Sequence, residues 1–428
     1  MSDTKTFFKY VIPSVLSFAL SGVYAIVDGY FVGNTIGDAG LSAINVAYPI
    51  VAVIQSLGTG IGMGGAVYYS INKAEKNESR AKEFISGSWW LLLIASIIST
   101  VTGYVFAAPL MKLLGAQDTL LTLGTEYIQI ISLGAGLQIL GTGLIPFMRN
   151  YGGSFWSMVA MISGFVTNIV FDYLFVCIYN LGMTGAALAT VIGQSVTVLI
   201  AIIYSIYKKC FTLRISIQNL GKISKKIFKI GLAPFGLALT PNISLIFINR
   251  FSMYYGGESA VATYACIAYI ICILYLVLQG VGDGSQPLMS QYYGENNIDK
   301  LQNVKKSAYS FAIFLSVIGS IVIFMLRWHI GALFGSSSEV NAAIADIMPI
   351  FLISVPFVAI TRIATAGFYA TEKNVSAYIL TFTEPILMLV LILILPPLFG
   401  GQTMIWWSTV FARIISAILA IVLNKSTS

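Results

Sequence analysis

The chain has 428 residues, 57% of them hydrophobic and only 10% charged, with 24 Lys and Arg against 17 Asp and Glu for a formal net charge of +7. Water-soluble domains carry roughly 25% charged residues, so this chain cannot cover a surface that faces water, and a soluble enzyme or binding module is excluded. Apolar runs of about 20 residues, enough to cross a ~30 Å hydrocarbon core, recur from end to end and make it an all-α polytopic membrane protein.

Twelve spans are expected, over roughly 8–33, 41–71, 86–110, 124–147, 153–178, 183–208, 228–254, 260–293, 304–328, 340–369, 374–397 and 403–424. The first contains Pro13 and, near its end in "YAIVDGYFVG", Asp28. It has no small-residue cleavage site and reads as a retained span rather than a signal peptide. The second carries "GIGMGGAVYYS", whose Gly60–Gly65 matches the dinucleotide pattern G-x-G-x-x-G. That fingerprint needs a preceding strand and a βαβ unit; inside an apolar helix, close packing through small residues is the better account. The fifth span holds Asn168 and Asp172, one helical turn apart on a common face. The sixth holds Thr190, and the basic stretch 208–229 then reads as a linker between an N-terminal lobe, 1–207, and a C-terminal lobe, 230–428. Beyond it, Arg250, Asp283, Arg362, Glu384 and Arg413 fall inside spans, while Arg327, Trp328 and His329 form an interfacial cluster. Cys177, Cys210, Cys266 and Cys272 show no metal-ligand spacing and are expected as free thiols.

Of the 24 Lys and Arg, 19 fall in alternate connections beginning with the N-terminus, against 2 in the opposite set. By the positive-inside rule both termini are cytoplasmic, in a multi-pass protein of the cell membrane. The positive charge is thus a topology signal, which argues against a nucleic-acid partner. The two halves also resemble each other at an offset of 220 residues: "GIGMGGAVYYS" (60–70) faces "GVGDGSQPLMS" (280–290), and Glu126 faces Asp346. Six spans per half make the repeat parallel, a transporter-like plan with a binding cleft expected between two pseudo-symmetric six-helix bundles. No G-x-x-x-x-G-K-[ST] loop exists, so an ion gradient must drive any pumping.

Asp28, Asp172, Asp283 and Glu384 each cost about 2.5–3.5 kcal/mol if left unpaired at mid-bilayer. Such residues are expected to face a bundle interior or a wet cavity. Span direction brings Asp28, Asn168, Asp172 and Thr190 to similar depths, and their hard oxygen ligands suit Na⁺ or a held proton. The plainer reading is that the two acids hydrogen-bond across helices to hold the bundle. In the other half, Asp283 and Arg362 are candidates for a pair, and Glu384 facing the cleft would attract a cationic substrate.

The chain is identified as resembling the multidrug and toxic compound extrusion (MATE) transporters, nearest the prokaryotic DinF and MepA types, over essentially its whole length. "VDGYFVG" looks like the family's first-helix motif, "TNIVFDYLFV" with "LGMTGAALATVIGQ" its fifth-to-sixth helix signature, and "GVGDGSQPLMSQYYG" its eighth helix. The resemblance implies a V-shaped secondary antiporter that exports lipophilic, often cationic compounds by alternating access. It would be driven by H⁺ or Na⁺, with no other cofactor. The family's cation site falls on Asp28, Asn168, Asp172 and Thr190, and Pro13 matches a proline at which some members are thought to bend. One departure stands out: the seventh span, "LAPFGLALTPNISLIFINRF", has no acid where one branch of the family has one. The nearest rival is a flippase of lipid-linked saccharides, whose cleft should hold many basic residues, against three intramembrane arginines here. An intramembrane enzyme would need a catalytic set that the chain does not offer. Nothing calls for more than a monomer.

Overall fold

The computed structural model describes residues 3–334 and 337–427. Its helices are α1 (Asp3–Thr35), α2 (Asp38–Ala74), α3 (Glu78–Val105), α4 (Ala107–Leu113), α5 (Asp118–Leu133), α6 (Ala135–Asn150), α7 (Ser154–Asp172), α8 (Gly182–Tyr207), α9 (Ile217–Gly294), α10 (Ile298–Leu326), α11 (Ile330–Leu333), α12 (Ser338–Ala370), α13 (Asn374–Phe399) and α14 (Gly401–Thr427). No strand occurs among the described residues.

Ten helical segments are long and apolar enough to cross a membrane, and α5 with α6, bent by 58° at Gly134, make one further broken crossing. The 78-residue α9 holds two crossings, because its helix is interrupted at Gly257 (φ 67°, ψ −163°). Only glycine adopts that conformation without strain. Twelve crossings result, as the hydropathy pattern predicts. The third expected span, 86–110, instead runs Glu78–Val105, with α4 a separate short helix beyond it. The reason is local chemistry: Asn77 caps α3 by accepting a 3.1 Å bond from the Arg80 amide, and a cap, not the edge of an apolar run, starts a helix. Similarly, Ser216 caps α9 through the Asn219 amide at 3.3 Å, so much of the basic stretch 208–229 is helical.

Packing divides the chain into two compact units. The N-unit comprises Val23–Leu239 with Ser290–Ile298; the C-unit comprises the residues up to Gly22, Thr240–Met289 and those from Asp299 onward. The repeated glycines explain the partition. In the N-unit, a Cβ on Gly60 or Gly64 would come within 2.9 Å of Gly231 O and 2.2 Å of Ile227 O, so α2 lies on the bare backbone of the first turns of α9. In the C-unit the partners Gly280 and Gly284 leave 2.7 and 2.9 Å to the Cα atoms of Val15 and Val11 in α1. Each sequence half therefore gives the leading part of its first span to the unit built mainly from the other half. Small-residue packing, not nucleotide binding, is what these glycines do.

Candidate functional site

Packing of small residues in the N-unit brings together polar side chains from three apolar helices. Helices α7 and α8 cross where a Cβ on Gly193 would lie 2.7 Å from Gly164 O and 2.9 Å from Asn168 Cβ. That crossing sets Asn168 and Asp172, both buried, beside Thr190, which lies almost one turn before Gly193. The second half of α1 is held there by Val32, which packs with Val176 and Ala186; Asp28 is one turn earlier. Directly after Asp172 the chain widens into a π-helical turn, Tyr173–Ile178, a device found frequently at functional sites.

The side chains of Asp28 and Asp172 lie in hydrogen-bond contact. An ionised carboxylate only accepts, so this contact needs a proton or a cation between the two groups. Asp172 Oδ1 is sealed from solvent and receives no hydrogen from a protein donor among the described residues. Asp172 Oδ2, by contrast, takes a 2.8 Å hydrogen bond from the Asn168 amide nitrogen, which also donates to Tyr24 Oη at 3.2 Å, while the amide oxygen accepts from the Thr190 backbone at 3.0 Å. The Thr190 hydroxyl donates to Ala186 O at 3.1 Å, leaving its lone pairs to the hydroxyls of Tyr24 and Tyr127, which both reach it.

Two carboxyls, an amide and three hydroxyls in an apolar bundle are suited to a proton or a hard monovalent cation. Among the described residues there is no group of three or more His, Cys, Asp and Glu side chains able to hold a metal ion. Tyr24 and Tyr127 are not among the residues that the sequence pattern points to. Tyr24 had a usable signal, since it precedes Asp28 by four residues and so shares its face; Tyr127 had none beyond being next to Glu126. Glu126 itself hydrogen-bonds Thr184 on α8.

The C-unit treats its charges differently. Glu384 of α13 pairs with Arg413 of α14 at 3.3 Å; Arg413 also donates to Ser354 Oγ at 3.1 Å and lies 4.9 Å from the centre of the Tyr275 ring. Between Asp283 and Arg362 stands Gln279, whose nitrogen donates to Asp283 Oδ1 at 2.7 Å and whose oxygen accepts from Arg362 Nη1 at 3.3 Å. Tyr369 donates to the same Asp283 oxygen at 3.0 Å. Pro13 lies within the unbroken run of α1, and its carbonyl accepts a 2.7 Å bond from Ser17 Oγ.

A model of the MatE family matches residues 13–174 and 235–394. The chain is 26% identical over 423 residues to the multidrug export protein MepA of Staphylococcus aureus strain MRSA252, covering 98% of this chain and 93% of that one. It is also 26% identical over 422 residues to the MepA of Staphylococcus saprophyticus, with the same coverage. Among solved structures, one described as the outward-facing conformation of a multidrug resistance MATE family transporter of the MOP superfamily aligns at a TM-score of 0.92 and 22% identity. That alignment covers 100% of this chain and 96% of the other.

Proposed function

The chain belongs to the MatE family of membrane transporters, and we propose that it is a secondary active antiporter that exports lipophilic, often cationic compounds in exchange for H⁺ or Na⁺. Transport is by alternating access of two lobes, 1–207 and 230–428, joined by 208–229, in a monomer with both termini cytoplasmic. The observation that carries the reading is the contact of Asp28 with Asp172, whose sealed Oδ1 has no protein donor. The names of the staphylococcal relatives support multidrug compounds as the cargo.

The residues divide the work as follows. Asp28 and Asp172 together hold the coupling ion, because two like charges this close cannot both stay ionised without one. Asn168, with its nitrogen on Asp172, supports the carboxylate. Thr190, Tyr24 and Tyr127 form the hydroxyl wall that keeps the site polar while water is excluded. Loading cancels the repulsion between the two acids and lets α1 close on α7; unloading restores it. Pro13, which denies Lys9 O its helical partner, gives α1 a place to bend in response. Asp283 and Glu384 remain candidates for contact with a cationic substrate, which at Glu384 would compete with Arg413.

The test is ethidium movement in proteoliposomes, wild type beside Asp28→Asn, under an imposed pH gradient and separately under a sodium gradient. Wild-type transport under one gradient, lost in the variant, identifies the ion and supports the acid pair as the coupling site. Robust gradient-driven export by Asp28→Asn would overturn it.

A further inference from the structure

Arg362 lies eight residues before the end of α12, inside a helix apolar enough to cross a bilayer. A charged side chain at such a place faces a wet interior or a counter-ion. Among the described residues Arg362 makes no ion pair; its bond is the one from Nη1 to Gln279 Oε1 at 3.3 Å. A guanidinium carries five N–H donors, so most of its capacity is unused, and Nε and Nη2, which have no protein partner among the described residues, are not sealed away from a ligand. The nearby carboxylate does not take up that capacity. Gln279 stands between the two, with its nitrogen on Asp283 and its oxygen on Arg362. Nor does Glu384, which is held by Arg413 at 3.3 Å.

The surroundings have the character of a ligand wall. The charge of Arg362 reaches Tyr275 and Cys272, and with Gln279 these residues follow at i, i+3 and i+7 along one face of α9. Cys272 at the end of this stripe is exposed. An accessible planar cation with free paired donors, one fixed amide beside it and an aromatic ring along the same stripe matches a bidentate oxo-anion attached to an apolar body.

We propose that Arg362, oriented by Gln279, binds the anionic oxo group (carboxylate, sulfonate or phosphate) of an amphiphile whose apolar part lies along the Tyr275 and Cys272 face. The site is confined to the C-unit and uses no coupling ion, so it stands or falls independently of the acid pair. If it lies on the transport route, the cargo range includes zwitterions and anions besides cations.

Cys272 supplies the reporter. The full-length protein carrying Cys177→Ser, Cys210→Ser and Cys266→Ser keeps one thiol, and its rate of reaction with N-ethylmaleimide is measured in neutral detergent. Naphthalene-2-sulfonate is the probe and uncharged naphthalene-2-sulfonamide its control. At ten times its dissociation constant the sulfonate should slow labelling about tenfold, with the sulfonamide inert at equal concentration. Arg362→Gln should abolish the protection, each rate being taken relative to the same variant without probe. Arg362→Lys, which keeps the charge but loses the planar fork, should retain only part of it and carries the test if Arg362→Gln does not fold. Equal protection in Arg362→Gln, or none in the parent, would overturn the site. Repeating the labelling in phosphatidylcholine vesicles with and without phosphatidylglycerol separates the sources. Slowing by the anionic lipid alone, relieved by Arg362→Gln, assigns the site to a lipid phosphate; labelling indifferent to lipid, with sulfonate protection kept, assigns it to a freely diffusing amphiphile.

Discussion

The acid pair of the N-unit and the ion pair of the C-unit are both charge clusters with one buried member, Asp172 and Arg413, in a repeated six-span plan, yet they are completed in opposite ways. At Asp28 and Asp172 like groups meet, with neutral partners around them, so the missing positive charge has to come from outside. At Glu384 and Arg413 the counter-charge is built in, and Ser354 and the Tyr275 ring take up further faces of the guanidinium. A cluster short of one cation can be loaded and unloaded; a complete one holds two helices together. The first should therefore matter for transport and little for stability, and the second the reverse.

The largest effect that would break this contrast is on stability. Glu384→Gln strands Arg413, which is only 7% exposed, and removal of one partner of a buried pair costs about 3–5 kcal/mol. Thermal unfolding in detergent should show a clear fall in Tm for Glu384→Gln. Asp28→Asn should stay close to wild type, and the double variant Glu384→Gln/Arg413→Gln should recover much of the loss. If Glu384→Gln melted like wild type but lost affinity for a cationic drug, Glu384 would be a substrate ligand and the contrast would fail.

Much of the N-unit site is legible in the sequence because depth along a span follows from topology, and i, i+4 spacing fixes a shared face. Those two rules bring Asn168 and Asp172 to one face, and put Asp28 and Thr190 at their level. Direction across the bundle is a different matter. That α1 turns Tyr24 and Asp28 toward α7 depends on the Gly164–Gly193 crossing and on Val32 packing with Val176 and Ala186, which no single segment encodes. For the same reason Asp283 and Arg362 look like a pair in the sequence, whereas the structure inserts Gln279 between them. The exchange of leading helix segments between the halves is not legible in the sequence either. The glycines that cause it are visible at the 220-residue offset, but not the helix that each one meets.

A sharper use of the repeat compares two aligned glycines. A Cβ on Gly62 of α2 would stand 2.1 Å from Gly143 O, backbone that cannot yield, whereas on Gly282 of α9 the nearest atom is Ala366 Cβ at 3.2 Å. Gly62→Ala should therefore cost about 1–3 kcal/mol by overpacking, and Gly282→Ala distinctly less. Melting temperatures of the two variants side by side check this. Equal losses would mean that the two crossings are equally tight in the membrane, and that the units differ in their charges but not in how closely their helices approach.

The smallest effect probes the hydroxyl wall. Tyr127→Phe removes the hydroxyl that reaches Thr190 while leaving both carboxyls in contact. A single neutral hydrogen bond contributes about 0.5–1.5 kcal/mol, so affinity for the coupling ion should fall about two- to tenfold with the maximal export rate retained. If the ion is a proton, weaker binding demands more acid, and the pH of half-maximal export should move down by about 0.3–1 unit. If it is sodium, the half-saturating concentration should rise by the same factor. A loss of coupling as complete as that expected of Asp28→Asn would mean that the phenol carries the ion's charge itself. The N-unit cluster would then have three titrating members, not two, and its contrast with the self-neutralised C-unit pair would need one more charge on the loadable side.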